Sequence, residues 1–80
     1  MADRQDTWNR INAIVVEKLN IDGSRIRPES TLQDLGADSL DMVEIIMKIE
    51  EEFNIEISDE DAERFHNMDE VVDYVNARRK

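Results

Sequence analysis

The sequence predicts an all-α fold: a four-helix bundle with three main helices, one short helix and a long loop between the first two. Three segments repeat apolar residues at spacings of three and four, the period of one helix face. Two further positions, Ser58 and Asn67, are each followed three residues later by an acid, which is typical of a helix start. Alternation of apolar and polar residues, the pattern of a strand, occurs only briefly, at 54–57.

The first predicted helix starts near Asp6 or Thr7, because either side chain can cap an N-terminus. Its apolar residues form one stripe at i, i+3, i+7 and i+11, made by Trp8, Ile11, Val15 and Leu19.

A long loop follows at 20–38, where Gly23, Pro28 and Gly36 interrupt any helical pattern. Three apolar residues are expected to pin this loop to the core: Ile26, Leu32 and Leu35. A loop of this length in so small a chain is usually functional or partly helical.

The second predicted helix runs from about Ser39 to Phe53 and carries two apolar stripes on opposite sides. At about 100° per residue, one stripe faces the core. It consists of Met42, Ile45, Ile46, Ile49 and Phe53. A surface helix needs only one such stripe.

The second stripe predicts a docking face, because it combines an apolar centre with a rim of carboxylates. Its members are Leu40, Val43 and Met47, flanked by Glu44, Glu50 and Glu51. The alternative interpretation is a central helix that is packed by neighbours on both sides.

The third predicted helix is short, with Ser58 as its cap and Asp61 in the capping-box position. The fourth starts at Asn67, with Glu70 three residues on. Its apolar stripe consists of Met68, Val71, Val72 and Val75.

Acidity is concentrated in residues 29–63, which hold thirteen acidic side chains and one base, Lys48, in a chain of net charge −10. This distribution argues against nucleic acid or an anionic membrane as partner and favours basic protein partners. A surface that merely aids solubility is the alternative. Crowded carboxylates with one base among them are expected to repel, to have raised pKa values, and to make salt, divalent cations and mild acid stabilising.

Enzyme chemistry has little support in the residues. The chain has no cysteine, and His66 is its one histidine, so no multi-histidine metal site or His-based triad can form beyond a single imidazole. A calcium-loop spacing of acids begins at Asp59, but Arg64 occupies the required glycine position. We therefore predict a single domain over 1–80 that is not an enzyme and binds no defined metal.

The chain has no apolar run long enough to span a bilayer, and its first residues are polar. We accordingly expect a cytoplasmic, monomeric protein without stable membrane insertion.

Ser39 stands where the loop meets the second helix, after a glycine, Gly36, that can take positive φ. Free N–H groups and the helix dipole favour a phosphate there, although serines in this position usually only cap. The stretch 34–41 (Asp-Leu-Gly-Ala-Asp-Ser-Leu-Asp), with the acidic run 50–53, closely resembles the acyl carrier proteins of bacterial fatty-acid synthesis. The resemblance extends over about 8–76.

The resemblance implies that a holo-carrier synthase transfers 4′-phosphopantetheine from coenzyme A to Ser39, beside Asp38 and Leu40. It implies that acyl chains are carried as thioesters on this cofactor and that enzymes of fatty-acid synthesis dock through basic grooves. It also implies that the acyl chain folds back between the helices, against Ile45, Ile46, Ile49, Phe53, Ile57, Ala62, Val71 and Val75. A polyketide or other specialised acyl carrier, and a cofactor-free acidic interaction module, are the alternatives.

Overall fold

The computed structural model describes residues 3–79, and this part of the chain contains four α-helices and no strand. Helix α1 spans Arg4–Leu19, α2 Ser39–Phe53, α3 Asp59–Glu63 and α4 Met68–Arg78. A 3-10 turn at Gly23–Arg25 lies in the loop between α1 and α2. The predicted all-α fold, with three main helices and a short third one, is confirmed.

Helix α1 begins earlier than the sequence pattern indicated. Its cap is Asp3, whose carboxylate accepts the Gln5 N–H at 2.9 Å, so the predicted cap at Asp6 or Thr7 is wrong. Thr7 is instead fully buried one turn into the helix, where its hydroxyl donates to Asn76 Oδ1 at 2.8 Å. The reason is that several cap-forming side chains precede the stripe, and the packing of α1 on α4 draws Thr7 inside.

The core lies where α1 packs against both α2 and α4. Most residues of the predicted stripes supply it, as do the two loop residues Ile26 and Leu35. Trp8, Leu19, Leu32 and Ile46 are partly buried at its edge, and Met42 of the predicted core stripe lies outside it. The fully enclosed side chains include Ile11, Val15, Ile45, Ile49, Met68, Val72 and Val75. Burial of such aliphatic side chains stabilises the fold by about 1.5–3 kcal/mol each.

The loop between α1 and α2 is an ordered part of the bundle. Its Ser30 carbonyl accepts the Met68 N–H at 2.8 Å, and its Pro28 carbonyl accepts the Asp69 N–H at 2.9 Å. These N–H groups belong to the first turn of α4 and have no partner within that helix. Gly36 has φ 99°, the left-handed conformation that the sequence predicted for it, so the chain can turn into α2.

Acidic side chains of α2 find bases outside their own segment. Arg10 of α1 pairs with Glu52, and Lys18 of α1 pairs with Glu44. The expectation that only Lys48 can pair with the thirteen carboxylates of residues 29–63 is therefore wrong, because the fold brings the bases of α1 alongside α2. At Asp61, in the acidic cluster, the pKa is lowered rather than raised, chiefly by the hydrogen bond from the Tyr74 hydroxyl.

None of the helices within residues 3–79 is both long and apolar enough to cross a membrane. The same residues contain no group of three or more histidine or carboxylate side chains that could hold a metal ion together. The calcium-loop spacing is divided between α3 and the start of α4, and its Asp61 carboxylate accepts a hydrogen bond from the Tyr74 hydroxyl.

Candidate functional site

Ser39 is the first residue of α2 and is exposed. It does not cap the helix, because the preceding residue does so in a reciprocal capping box. The Asp41 N–H donates to Asp38 Oδ1 at 2.8 Å, and the Asp38 N–H donates to Asp41 Oδ2 at 3.3 Å. Within the described part of the chain the Ser39 hydroxyl takes part in no hydrogen bond, so it is available for chemistry.

The backbone around Ser39 suits a phosphate ester. The N–H groups of Ser39 and Leu40 are at the start of α2, where no helical carbonyl can accept them. The turn before them is fixed by the Ala37 N–H, which donates to the Leu32 carbonyl at 2.9 Å. Unpaired N–H groups and the helix dipole together stabilise a negative group at this end. The nearby carboxylate of Asp38 opposes that effect, but it is engaged with the Asp41 N–H.

An open groove of about 700 Å³ begins at Ser39. It runs between α2 and α3 and ends against the start of α4. Its volume is in the range of natural small-molecule sites. The lining contains apolar residues of α2 and of the α3 region, with polar residues among them: Thr31, Leu32, Gln33, Ser39, Met42, Val43, Ile46, Met47, Glu50, Ile57, Asp59, Ala62, Glu63, Phe65, His66, Asn67 and Val71.

The eight residues predicted to line an acyl cavity divide into two groups. Four of them line this groove: Ile46, Ile57, Ala62 and Val71. The other four lie in the core and do not line the groove: Ile45, Ile49, Phe53 and Val75. Ile57 and Val71 belong to both the core and the groove. The groove also contains Phe65, which the sequence analysis did not single out, and Met42, which it assigned to the core stripe.

Helix geometry explains that division. Relative to Met42 at 0°, Ile46 lies at roughly 40° and Val43 at roughly 100°, whereas Ile45 lies at roughly 300°. The groove therefore follows the edge of the core stripe that is nearest to the exposed stripe. A comparison of the two stripe angles could have found Met42, but Phe65 is isolated between two helices and gives no periodic signal.

The predicted docking face is exposed in the structure. Its apolar side chains Leu40, Val43 and Met47 are 64%, 56% and 54% accessible, so the alternative of a helix packed on both sides is wrong for this stripe. Val43 and Met47 also line the groove, so the exposed stripe and the groove share an edge.

The three carboxylates at the rim of this face differ in their surroundings. Glu44 pairs with Lys18. Glu50 Oε2 accepts the Ile57 N–H at 2.9 Å and so ties the segment before α3 to α2. Glu51 is exposed and forms no ion pair within residues 3–79. Of the three, Glu51 alone has no partner within that range.

Helix α3, the outer wall of the groove, contains no buried residue. Besides the Glu50 tie, the Tyr74 hydroxyl donates to Asp61 Oδ2 at 2.7 Å. This hydrogen bond is the main cause that lowers the pKa of Asp61 and raises the pKa of Tyr74. Phe65, just after α3, packs edge-on against the Tyr74 ring at 5.1 Å. The wall is therefore held by a few specific contacts rather than by deep burial.

A family model described as "Phosphopantetheine attachment site" matches residues 9–75. The chain belongs to this phosphopantetheine-attachment family. It is also similar to proteins named acyl carrier protein in three bacteria. The identity is 47% to that of Helicobacter hepaticus, over 92% of this chain and 99% of that protein. It is 48% to that of Campylobacter jejuni strain RM1221, over 92% and 97%, and 53% to that of Helicobacter pylori strain J99, over 81% and 85%.

Membership of the phosphopantetheine-attachment family gives the chain its prosthetic group, covalently attached 4′-phosphopantetheine. The chain is a carrier of this group and not an enzyme. The residues around Ser39 fit the group, because its exposed hydroxyl has no hydrogen-bond partner within residues 3–79 and lies beside free helix N–H groups and a partly apolar groove. When bound, the group supplies a thiol on a long flexible arm.

Proposed function

We propose that this chain is an acyl carrier for fatty-acid synthesis and that Ser39 holds its 4′-phosphopantetheine. The observation that carries the proposal is the position of Ser39: it is exposed, it does not cap α2, and it stands at the mouth of the groove. The whole chain then acts as one carrier domain. The names of the similar bacterial proteins support the acyl cargo.

Loading is a phosphoryl-transfer reaction at the Ser39 hydroxyl. The oxygen forms a new bond to the pantetheine phosphate of coenzyme A, and the pyrophosphate bond breaks. The nucleotide bisphosphate leaves, and the serine proton passes to a base of the synthase. Ser39 and Leu40 contribute their backbone N–H groups, which stabilise the phosphodiester charge. Asp38 holds the first turn in place through its hydrogen bond to the Asp41 N–H.

We propose that the acyl chain lies in the groove beside Ser39. The groove is apolar along Met42, Ile46, Ile57 and Val71, and the polar residues at its mouth can remain in contact with water. Burial of each CH₂ group of the chain contributes about 0.8 kcal/mol. A loaded chain should consequently stabilise the fold by binding the folded state alone.

The face formed by Leu40, Val43 and Met47 supports docking of enzymes with basic grooves. An apolar centre with an acidic rim complements an apolar patch surrounded by lysine and arginine. The proposed partners are a holo-carrier synthase and enzymes of fatty-acid synthesis. Because the stripe shares an edge with the groove, a docked enzyme would lie next to both the arm and its cargo.

The attachment residue can be tested by intact mass after incubation with coenzyme A and a holo-carrier synthase. Wild type should gain one phosphopantetheine, and Ser39→Ala should gain none. Ser58→Ala is the matched control: it removes a serine that caps α3 at 3.1 Å from the Asp61 N–H, and it should load normally. Since Ser39 is not a cap, Ser39→Ala should change the free energy of unfolding by less than about 0.5 kcal/mol. Phosphopantetheine on Ser39→Ala would overturn the assignment.

The groove can be tested by filling it. Ala62 lines the groove, whereas Ala77 of α4 is exposed outside it. We expect acyl loading to raise the melting temperature of wild type and of Ala77→Phe, but not of Ala62→Phe, in which the new ring occupies the space. The unacylated variants provide the reference for each melt. Equal acyl stabilisation in both variants would place the chain outside this groove.

A further inference from the structure

Lys18 is at the last turn of α1, and its ammonium forms an ion pair with Glu44 of α2. The two side chains are 30% and 38% accessible, so the pair lies at the surface, where water and ligands can reach it. Glu44 is one of the carboxylates at the rim of the exposed stripe of Leu40, Val43 and Met47. One negative charge of this surface is therefore neutralised from within the same chain.

The rim consequently presents unequal charges to a basic partner. A lysine or arginine that approaches Glu51 meets a carboxylate with no ion-pair partner in residues 3–79. A lysine or arginine that approaches Glu44 must displace Lys18, and it also approaches a charge of its own sign. Both effects lower the free energy gained when a partner's base pairs with Glu44. That free energy is small to begin with, because ion pairs at an exposed surface contribute only modestly.

Displacement of Lys18 is physically feasible. Lysine has a flexible stem and donates through three equivalent N–H bonds, so it can leave one carboxylate without moving the backbone.

We propose that Lys18 is a specificity-determining residue that competes with basic partner enzymes for Glu44. This inference rests on the docking face proposed above and identifies a regulator of that face. A partner whose basic side chain pairs with Glu44 is weakened by Lys18, whereas a partner that anchors on Glu51 is not. The proposal assigns the holo-carrier synthase to the first kind. The competition acts on encounter and affinity, so it changes KM and leaves kcat unchanged.

The first test compares two single-charge removals, Lys18→Gln and Lys48→Gln. Both variants remove one positive charge. They differ in that Lys48 is exposed on α2 and forms no ion pair within the described residues. A holo-carrier synthase with coenzyme A serves as the probe at low salt. We expect Lys18→Gln to lower the KM for the carrier about 1.5- to 5-fold, the range of an exposed ion pair, with kcat unchanged. The effect of Lys48→Gln should be smaller.

The second test repeats both variants in a Glu44→Gln background. The Lys18→Gln effect should disappear there, because the competition requires the Glu44 carboxylate. The Lys48→Gln effect should persist, because Lys48 lies one turn from Glu44 on α2 but forms no ion pair with it. Lys18→Arg keeps a cation on Glu44 and should retain the wild-type KM. Rising salt should reduce the difference in KM between Lys18→Gln and wild type, because salt screens both the Lys18–Glu44 attraction and the attraction between Glu44 and the partner's base.

A KM unchanged or raised in Lys18→Gln would overturn the proposal, and so would a lowered KM that survives Glu44→Gln. Circular dichroism of each variant verifies that the helices are intact, so a misfolded variant is not misread as a docking effect. Failure of the proposed function is distinguishable, because then wild type itself would gain no phosphopantetheine on Ser39.

Discussion

The seam between α1 and α4 and the groove between α2 and α3 are built in different ways. In the seam, fully buried Ile11, Val15, Val72 and Val75 pack together, and a buried hydroxyl, that of Thr7, bonds to Asn76. In the groove wall no residue of α3 is buried, and packing is limited to residues such as Ala62 and Phe65 at the edge of the core. Two hydrogen bonds add to it: the Ile57 N–H donates to Glu50, and the Tyr74 hydroxyl donates to Asp61.

This difference separates stability from function within one small chain. Buried aliphatic packing makes the seam difficult to open, whereas a wall held by a few part-buried hydrogen bonds can open at lower free-energy cost. A carrier that takes its cargo into this groove, as proposed above, needs the second kind of wall, and it needs the first kind to remain folded meanwhile.

The strongest contrast is between two aliphatic truncations of equal chemistry. Ile11→Ala in the seam should lower the free energy of unfolding by about 2–5 kcal/mol, because it leaves a cavity in a fully buried site. Leu40→Ala on the exposed stripe should change it by less than about 0.5 kcal/mol. Urea unfolding followed by circular dichroism measures both. Similar losses in the two variants would mean that the two regions do not differ as described.

A smaller effect is expected from the buried hydroxyl of the seam. Thr7→Val preserves shape but removes the donor to Asn76 Oδ1 and the acceptor of the Arg79 guanidinium at 2.9 Å. Leaving such groups unpaired costs about 1–3 kcal/mol. The control is Thr31→Val at the groove, where the hydroxyl accepts only the Asp34 N–H at 2.9 Å, worth about 0.5–1.5 kcal/mol. A Thr7→Val loss below the control in urea unfolding would contradict this ranking.

The tie between Tyr74 and Asp61 predicts a local pH response in the groove wall. The pKa of Asp61 is lowered on folding, so its ionised form stabilises the folded state. This stabilisation is present above the ordinary aspartate pKa range and is lost as pH falls through the folded pKa. The pKa of Tyr74 is raised on folding, so its protonated form stabilises the folded state. This stabilisation is present below the ordinary tyrosine pKa range and is lost as pH rises through the folded pKa. Amide exchange of α3 should therefore accelerate at both extremes relative to α1.

The variant Tyr74→Phe provides the control for that response. It keeps the ring that packs on Phe65 but removes the hydroxyl. The amides of α3 should therefore exchange faster at neutral pH, and their exchange should no longer accelerate at both pH extremes relative to that of α1. If wild type and Tyr74→Phe have the same α3 exchange across pH, the tie does not hold the wall.

The smallest predicted effect distinguishes two adjacent glutamates. Glu51 has no ion-pair partner within residues 3–79, whereas Glu52 pairs with Arg10. At low salt Glu51→Gln should raise the melting temperature slightly, because it relieves repulsion in the acidic segment, and Glu52→Gln should lower it. Each change should be within about 0.2–1 kcal/mol and should shrink in high salt. The same sign for both variants would show that net charge, and not pairing, decides.

The helices were predictable from the sequence because their signals are local. The α2 bounds and the caps at Ser58 and Asn67 follow from side chains that hydrogen-bond within the next three residues. The exposed stripe of Leu40, Val43 and Met47 was equally readable, since helix geometry alone places it opposite the core stripe. The start of α1 was misplaced, because cap preference does not choose among several suitable residues.

The sequence by itself determined four helices, an exposed acidic face on α2 and a serine at the start of that helix, because periodicity and capping involve residues a few positions apart. Only the tertiary structure decided which apolar residues enclose the core and which line the groove. Helix geometry places Ile45 and Ile46 at different angles, but it does not say which angle meets a neighbouring helix and which meets the groove. The tertiary structure alone also paired Lys18 with Glu44 and Arg10 with Glu52. Such long-range contacts depend on how whole helices pack, and no local spacing encodes them.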